Sequence, residues 1–382
     1  MTTTTTRTND IYINEVETTP NPLIGLVEKL EVQKNLKHDL VVPAGHISYS
    51  ADMGKLIIAG ESNYSLTDHA HDQIGQKLEI PNSYYRRMKS EYPDLLAQNI
   101  NGWLSRKEKM KYLLRTFKFP TEGQDHVCRA MLSNRYNILD NYDVLIAALE
   151  AVKSTGIHVE IVKAEMTDLR MYLHVVAPEI HVQATKLLDG YLENKKTARL
   201  NDGIISGFVI SNSEVGMGTF EISARSQILV CKNGLHDRNA KFRKVHLGAA
   251  MDNGIIDWSK QTQQKNYELI VSQTKDAVKT YLSKEYLGNL ISRLERYKED
   301  TVDNPIQVVE KVSQELQVSE SHKTNILKHF FSDGDNSVFG MMNAFTRETQ
   351  NMPADTAHDV ESGVFDLLPR IKSFDKQPAS KN

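Results

Sequence analysis

Cysteine is nearly absent from this chain: Cys128 and Cys231 are the only two in 382 residues. So few, so far apart, exclude a disulfide-stapled scaffold and fit a reducing compartment. Long apolar runs are missing too, and none approaches the roughly 18–20 residues that cross a bilayer. The opening "MTTTTTRTND" has no apolar stretch of the kind a secretory leader needs. Neither G-x-G-x-x-G nor G-x-x-x-x-G-K-[ST] occurs, so the usual glycine cradle for nucleotide phosphates is excluded and no cofactor is expected. A formal charge of −3 creates no strong overall field. These absences predict a soluble, cytoplasmic protein with no membrane partner.

What is present is enough for a large core, with 40% hydrophobic and 25% charged residues. Residues 1–20 are Thr-rich and polar and read as a disordered tail. Residues 21–255 read as an α+β core domain, 256–350 as a helical region packed on it, and the acidic, proline-containing 351–382 as a loosely held tail. Within the core, "KYLLRTFKF" (111–119) predicts a strand stopped by Pro120. Ser65 or Thr67 is placed to cap a helix, Pro81 to open the next, and Gly156 to end one over 142–156. Two hairpins follow, 157–178 turning near Thr167–Asp168 and 207–235 turning at Gly216 and Gly218. Phe220, Ile222, Ala224, Ile228 and Val230 alternate and put one strand face in the core. Leu269, Ile270, Val278, Tyr281, Leu282, Leu290, Ile291 and Leu294 recur at helical spacing and predict one long helix from about Trp258 to Tyr297. The expected class is α+β: an antiparallel sheet built of hairpins, flanked by helices, with a helical C-terminal region.

Five blocks stand in a recognisable order: "YSLTDHAHDQIGQKLEIPNSYYRRM", "RAMLSNRYNILDNYDVL", "ISNSEVGMGTFEI", "ILVCKNGL…VHLG" and "NSVFGMMNAFTRET". Together, over residues 45–350, they resemble the DUF932 family of phage- and plasmid-borne proteins. That family has no assigned activity, so the resemblance brings no catalytic residues. It implies a mobile-element setting in a host cell's cytoplasm, where nucleic-acid transactions are common. One departure is Gln227–Ile228–Leu229, standing where relatives carry an arginine before the Val-Cys step; Arg225 is the nearest substitute.

Three chemistries compete in "RSQILVCKNGLHDRNAKFRKVHLG" (225–248). The first is a metal site from Cys231, His236 and His246, with His69 and His71 as a second pair. Zinc sites usually have a close ligand pair at each end, which Cys231 lacks, and two residues two apart on a helix point in different directions. The second is a Cys231 nucleophile, for which no carboxylate or amide orients His236. Elsewhere, Asp333 and Asp335 lack the acid that completes a calcium loop and read as caps. Asp140 reads as the cap of the following helix, and Glu214 as a turn carboxylate bonding its own backbone amides.

The third chemistry is basic. Residues 222–248 hold six Lys or Arg (Arg225, Lys232, Arg238, Lys241, Arg243, Lys244) against Asp237 alone. Residues 101–135 hold eight, among them Arg106, Lys109, Lys111, Arg115 and Lys118, against three acids, interleaved with Trp103, Tyr112, Phe117 and Phe119. Cations that follow phosphates and rings that stack on bases are how single strands are held. The expected function is therefore non-enzymatic binding or annealing of nucleic acid, single-stranded DNA in particular, in replication or recombination, with homo-oligomerisation allowed. The alternatives are a metal-dependent enzyme such as a nuclease, using Glu214, Cys231, His236 and His246, and a structural or host-interaction protein.

Overall fold

The computed structural model describes residues 22–120, 125–189, 203–229, 233–244 and 260–376. The expected N-terminal tail lies outside these residues. A first helix, α1 (Pro22–Leu36), leads into four short strands, β1 (Leu40–Pro43), β2 (Ile47–Ser50), β3 (Lys55–Ile58) and β4 (Asn63–Leu66). Helices α2 (Asp68–Lys77), α3 (Asn82–Glu91) and α4 (Pro93–Arg106) follow, then β5 (Lys111–Phe117) and β6 (His126–Ser133). These strands form one sheet in the order β1-β5-β6-β4-β3-β2, with a parallel β4–β6 pair among antiparallel neighbours. The three helices supply the crossover that a parallel pair requires. Thr67 caps α2 by accepting from the Ala70 amide at 3.1 Å, as its position before the helix predicts.

Helix α5 (Asn141–Thr155) ends at Gly156, whose φ of 71° takes the left-handed cap. A second, fully antiparallel sheet is a meander of β7 (Glu160–Met166), β8 (Met171–Gln183), β9 (Gly203–Asn212), β10 (Phe220–Ile228) and β11 (Gly234–Lys244). A short helix, α6 (Thr185–Leu188), follows β8. The chain thus builds two sheets where the periodicity alone suggests one. Alternation on β10 holds: Phe220, Ile222, Ala224 and Ile228 are buried, while Val230 lies outside the described residues.

The expected single helix over 258–297 is two helices, α7 (Lys260–Tyr281) and α8 (Lys284–Glu299). Ser283 breaks it by capping α8, its hydroxyl accepting from the Tyr286 amide at 3.2 Å. Ile270, Val278, Tyr281, Leu282, Leu290, Ile291 and Leu294 are buried as the spacing predicts, but Leu269 is exposed. Helices α9 (Pro305–Leu316), α10 (Glu320–Asp333), α11 (Val338–Glu348) and α12 (Ala354–Asp375) complete the chain. The cap of α11 is Ser337, just beyond the expected stretch, its hydroxyl accepting from the Gly340 amide. Asp335 supports it by accepting from the Ser337 amide and hydroxyl, while Asp333 ends α10 and pairs with Arg347.

Among the described residues the three largest apolar cores are these. Helices α2 to α4 cover one face of the first sheet with Ile74, Tyr85, Leu96 and Ile100. Helices α1, α5 and α7 cover one face of the second sheet with Leu26, Val144, Leu145 and Ile270. Helices α8 to α12 form the third, around Leu294, Phe339, Phe345 and Val364. The reading of 351–382 as a loose tail is overturned over 354–375. There Val360, Val364, Leu368 and Ile371 recur at three to four residues and are all buried. Each such burial contributes about 1.5–3 kcal/mol, which outweighs the interior Pro369. We expect Ile371→Ala to cost about 2–5 kcal/mol in a denaturant melt, and Val364→Asp with Ile371→Asp to abolish cooperative unfolding. A melt unchanged by either would contradict a docked α12.

Candidate functional site

The basic residues singled out by sequence divide into three groups. Arg106, Lys109 and Lys111 are exposed where α4 passes into β5, and Lys118 is exposed but 3.2 Å from Glu61. Lys241 is exposed on β11, an edge strand; the side chains of Arg238, Arg243 and Lys244 on that strand lie outside the described residues, as does Lys232. Arg115 and Arg225 are corrections. Arg115 sits in the middle of an interior strand with 0% exposure, and Arg225 is held by both oxygens of Glu361 at 2.8 and 2.9 Å. Neither guanidinium can reach a phosphate backbone while so buried and paired.

Arg115 organises a cleft between the two sheets. Its Nε donates to Asp39 at 3.1 Å, its Nη2 to Asp140 at 2.7 Å, and its Nη1 to the Glu214 carbonyl at 3.2 Å. Lys37 pairs with Asp140 from the end of α1. Between Arg115 and Thr116 the register of β5 on β6 slips, so Arg129 is the extra residue of a bulge. A bulge re-aims its residue, and Arg129 donates to Glu214 Oε2 at 2.9 Å with its guanidinium 3.9 Å from the centre of the Phe117 ring. The other oxygen of Glu214 accepts from the Asn141 amide at 2.7 Å, at the start of α5. Glu214 therefore does not bond its own turn: it caps a distant helix. Asp140 holds the cap position, yet its carboxylate serves Arg115 and Lys37 instead.

The β9–β10 turn that carries Glu214 is clamped from outside. His69 Nε2 lies 2.9 Å from the Val215 carbonyl, Gln73 donates to the same oxygen at 2.7 Å, and Tyr136 donates to the Ser213 carbonyl at 3.0 Å. Gly216 has φ 82°, and a Cβ there would lie 2.7 Å from Leu132, so only glycine fits. The cleft is lined by Thr67, Phe117, Arg129, Thr167, Asp168, Arg170 and Glu214. Burial raises the Asp168 carboxyl above the ordinary aspartate range, with Arg129 working against it.

The second polar centre lies beneath α12, on the face of the second sheet opposite its apolar core. Tyr172 and His174 of β8, Ser223 and Arg225 of β10 and His236 of β11 are all buried or nearly so there, facing His358 and Glu361 of α12. Ser223 Oγ is 2.6 Å from His236 Nε2. Burial, then the charge of Arg225, drives His174 well below the ordinary histidine range, so its ring is neutral. The proposed convergence of Glu214 with His236 does not occur: one lines the cleft, the other lies under α12. Cys231 and His246 are outside the described residues. His69 and His71 go separate ways, His71 sitting 2.9 Å from the Tyr85 hydroxyl with its pKa lowered by burial to about 4. Cys128 is fully buried and its thiol pushed up to about 12 by burial, which suits packing.

Comparison with protein families, with curated proteins and with solved structures finds no match to this chain. Arg129, Glu221, His358 and Glu361 escaped the sequence reading as site residues. The available signal was a charge inside an otherwise apolar, periodic stretch, at Arg115 in "YLLRTF" and at Glu361 in "VESGVF".

Removing Arg115 takes from Asp39 its cation and leaves Asp140 with Lys37 and Glu214 with Arg129 alone, so Arg115→Met should cost about 3–5 kcal/mol by thermal or denaturant unfolding. Burial opposes ionisation of Asp140, but Arg115 and Lys37 outweigh it and hold its carboxyl below the usual range. Its contribution is therefore present above the unfolded pKa of about 3.9 and fades as pH falls through the lower folded value. A melting series from pH 6 to pH 2 should lose stability at the acid end in the wild type. Arg115→Met should show a shallower decline there; equal slopes would refute the assignment.

Proposed function

We propose that the chain binds single-stranded nucleic acid along the exposed strip Trp103–Arg106–Lys109–Lys111. The observation that carries this reading is Trp103, a residue 42% exposed with the Arg106 guanidinium 6.0 Å from the centre of its ring. An exposed indole beside a guanidinium offers a base one flat surface and one cation, the pairing that sequence-tolerant single-strand sites use. Lys109 and Lys111 extend the strip, and neither enters an ion pair among the described residues, while Glu108 is the one acid between Trp103 and Arg115. Lys241 adds an exposed cation on the edge of the second sheet, on a strand that also carries Arg238, Arg243 and Lys244. The resemblance to DUF932 supplies a compatible setting, a phage or plasmid whose replication or recombination exposes single strands in the host cytoplasm. Arg115, Arg225 and the paired Lys118 are not part of this interface.

Fluorescence anisotropy with a labelled oligonucleotide at several salt concentrations tests it. Affinity should fall with salt, and Lys109→Ala with Lys111→Ala should flatten the log–log slope by roughly 1.4, about 0.7 for each phosphate contact removed. Trp103→Ala should weaken binding by about 1–3 kcal/mol while leaving the salt slope in place, because stacking and charge are separate contributions. Mixed-sequence and homopolymeric strands should respond alike. Wild-type protein that binds neither DNA nor RNA at low salt would end this reading.

A further inference from the structure

We propose that Glu221, His236 and His358 form a site for a divalent transition-metal ion, zinc by preference, that ties α12 to the second sheet. This goes beyond nucleic-acid contact and rests on different residues. One ligand atom from each of the three lies within 4.8 Å of the others, and all three side chains are buried. They come from the paired strands β10 and β11 and from α12, which is far along the chain from both, so an ion among them would cross-link helix to sheet.

Glu221 supplies the independent observation. Its Oε1 is buried and has no hydrogen-bond partner among the described residues. Other buried glutamates of this protein are fully provided for. Glu214 accepts from Arg129 and the Asn141 amide, Glu361 from Arg225, and Glu348 from His322, Asn325, His329 and Asn351. Glu361 takes the nearby positive charge of Arg225, so that cation does not serve Glu221. A carboxylate oxygen removed from water needs a donor or a cation, and here two imidazoles stand beside it.

The rings are already oriented. Ser223 Oγ at 2.6 Å from His236 Nε2 fixes that ring's rotation, as an outer partner does for a ligating imidazole. His358 is held between two rings, with Tyr172 at 4.8 Å and His236 at 4.9 Å between centroids. Tyr172 is itself anchored by donating to Asp355 at 2.7 Å, one turn before His358 on the same helix. Two nitrogens and one oxygen suit zinc and its neighbours; magnesium and calcium prefer all-oxygen shells. Ligands about 2.1 Å from a tetrahedral ion stand about 3.4 Å apart, so binding would draw the three inward by small side-chain rotations. Three protein ligands leave a fourth position for a further donor.

The test uses the full-length chain without a histidine tag, stripped with a chelator and dialysed against zinc. Elemental analysis should give one zinc per chain, and zinc should raise the melting temperature. Glu221→Gln and His358→Gln should each lose the bound zinc and the thermal shift, while His329→Gln, in the other histidine cluster, keeps both. Cobalt substituted for zinc should give visible d–d bands without a near-ultraviolet thiolate charge-transfer band, a readout that needs no variant to fold. Folded wild type that takes up no stoichiometric zinc, uptake undiminished in both variants, or a thiolate band that moves the ion to a cysteine would each overturn the proposal.

Discussion

A permanently charged guanidinium at the centre of the molecule is the constraint around which the rest is arranged. Arg115 is fully buried, and a cation there is tolerable only with carboxylates in contact on several sides. Those carboxylates come from three separate places: the approach to β1, the start of α5 and the β9–β10 turn. Meeting this demand fixes how the first sheet, α5 and the second sheet sit together. It also explains why Glu214 leaves its own turn to cap α5, since Asp140, in the cap position, is already committed. Apolar packing would hold such an interface as tightly, but it would accept sliding registers; a charge with three named partners does not.

The second sheet obeys a different demand. One face is apolar and finds α1, α5 and α7; the other is rich in Tyr, His, Ser, Glu and Arg and would ordinarily face water. Here it is roofed by α12, which answers with polar groups of its own, Asp355 to Tyr172 and Glu361 to Arg225. Gly234 is part of that answer. A Cβ at this position would come within 2.1 Å of Glu361 and 2.2 Å of Arg225, so the ion pair occupies the space glycine vacates. The helix therefore has two docking surfaces, an apolar one toward α9 to α11 and a polar one toward the sheet.

Local punctuation made much of this readable from sequence. Thr67, Gly156 and the Gly216 turn stand where they must because each satisfies a short-range geometric rule. The α+β class and its antiparallel hairpins followed from the same rules. What failed was longer in range. Arg115 reads as an exposed cation until β1 is known to flank β5, which makes β5 an interior strand. Glu214 is conspicuous in "NSEVG", but its partners Arg129 and Asn141 lie 85 and 73 residues away, beyond any local pattern. Helix α12 was obscured for another reason: Pro353, Pro369 and three acids in its first half, Asp355, Asp359 and Glu361, interrupt a regular apolar stripe.

The dispersed origin of the Arg115 partners has a consequence for biosynthesis. Strands β5 and β6 leave the ribosome well before residue 214 has been made, so the guanidinium must stay hydrated while its own sheet assembles. Closing the loop to Glu214, 99 residues on, carries the entropic cost of a long-range contact and comes late by order of synthesis. The first sheet can settle early, with α2 to α4 over one face. Its other face, bearing Arg115, stays open until the meander arrives, so the nascent chain carries a wet, cationic surface that the finished protein hides.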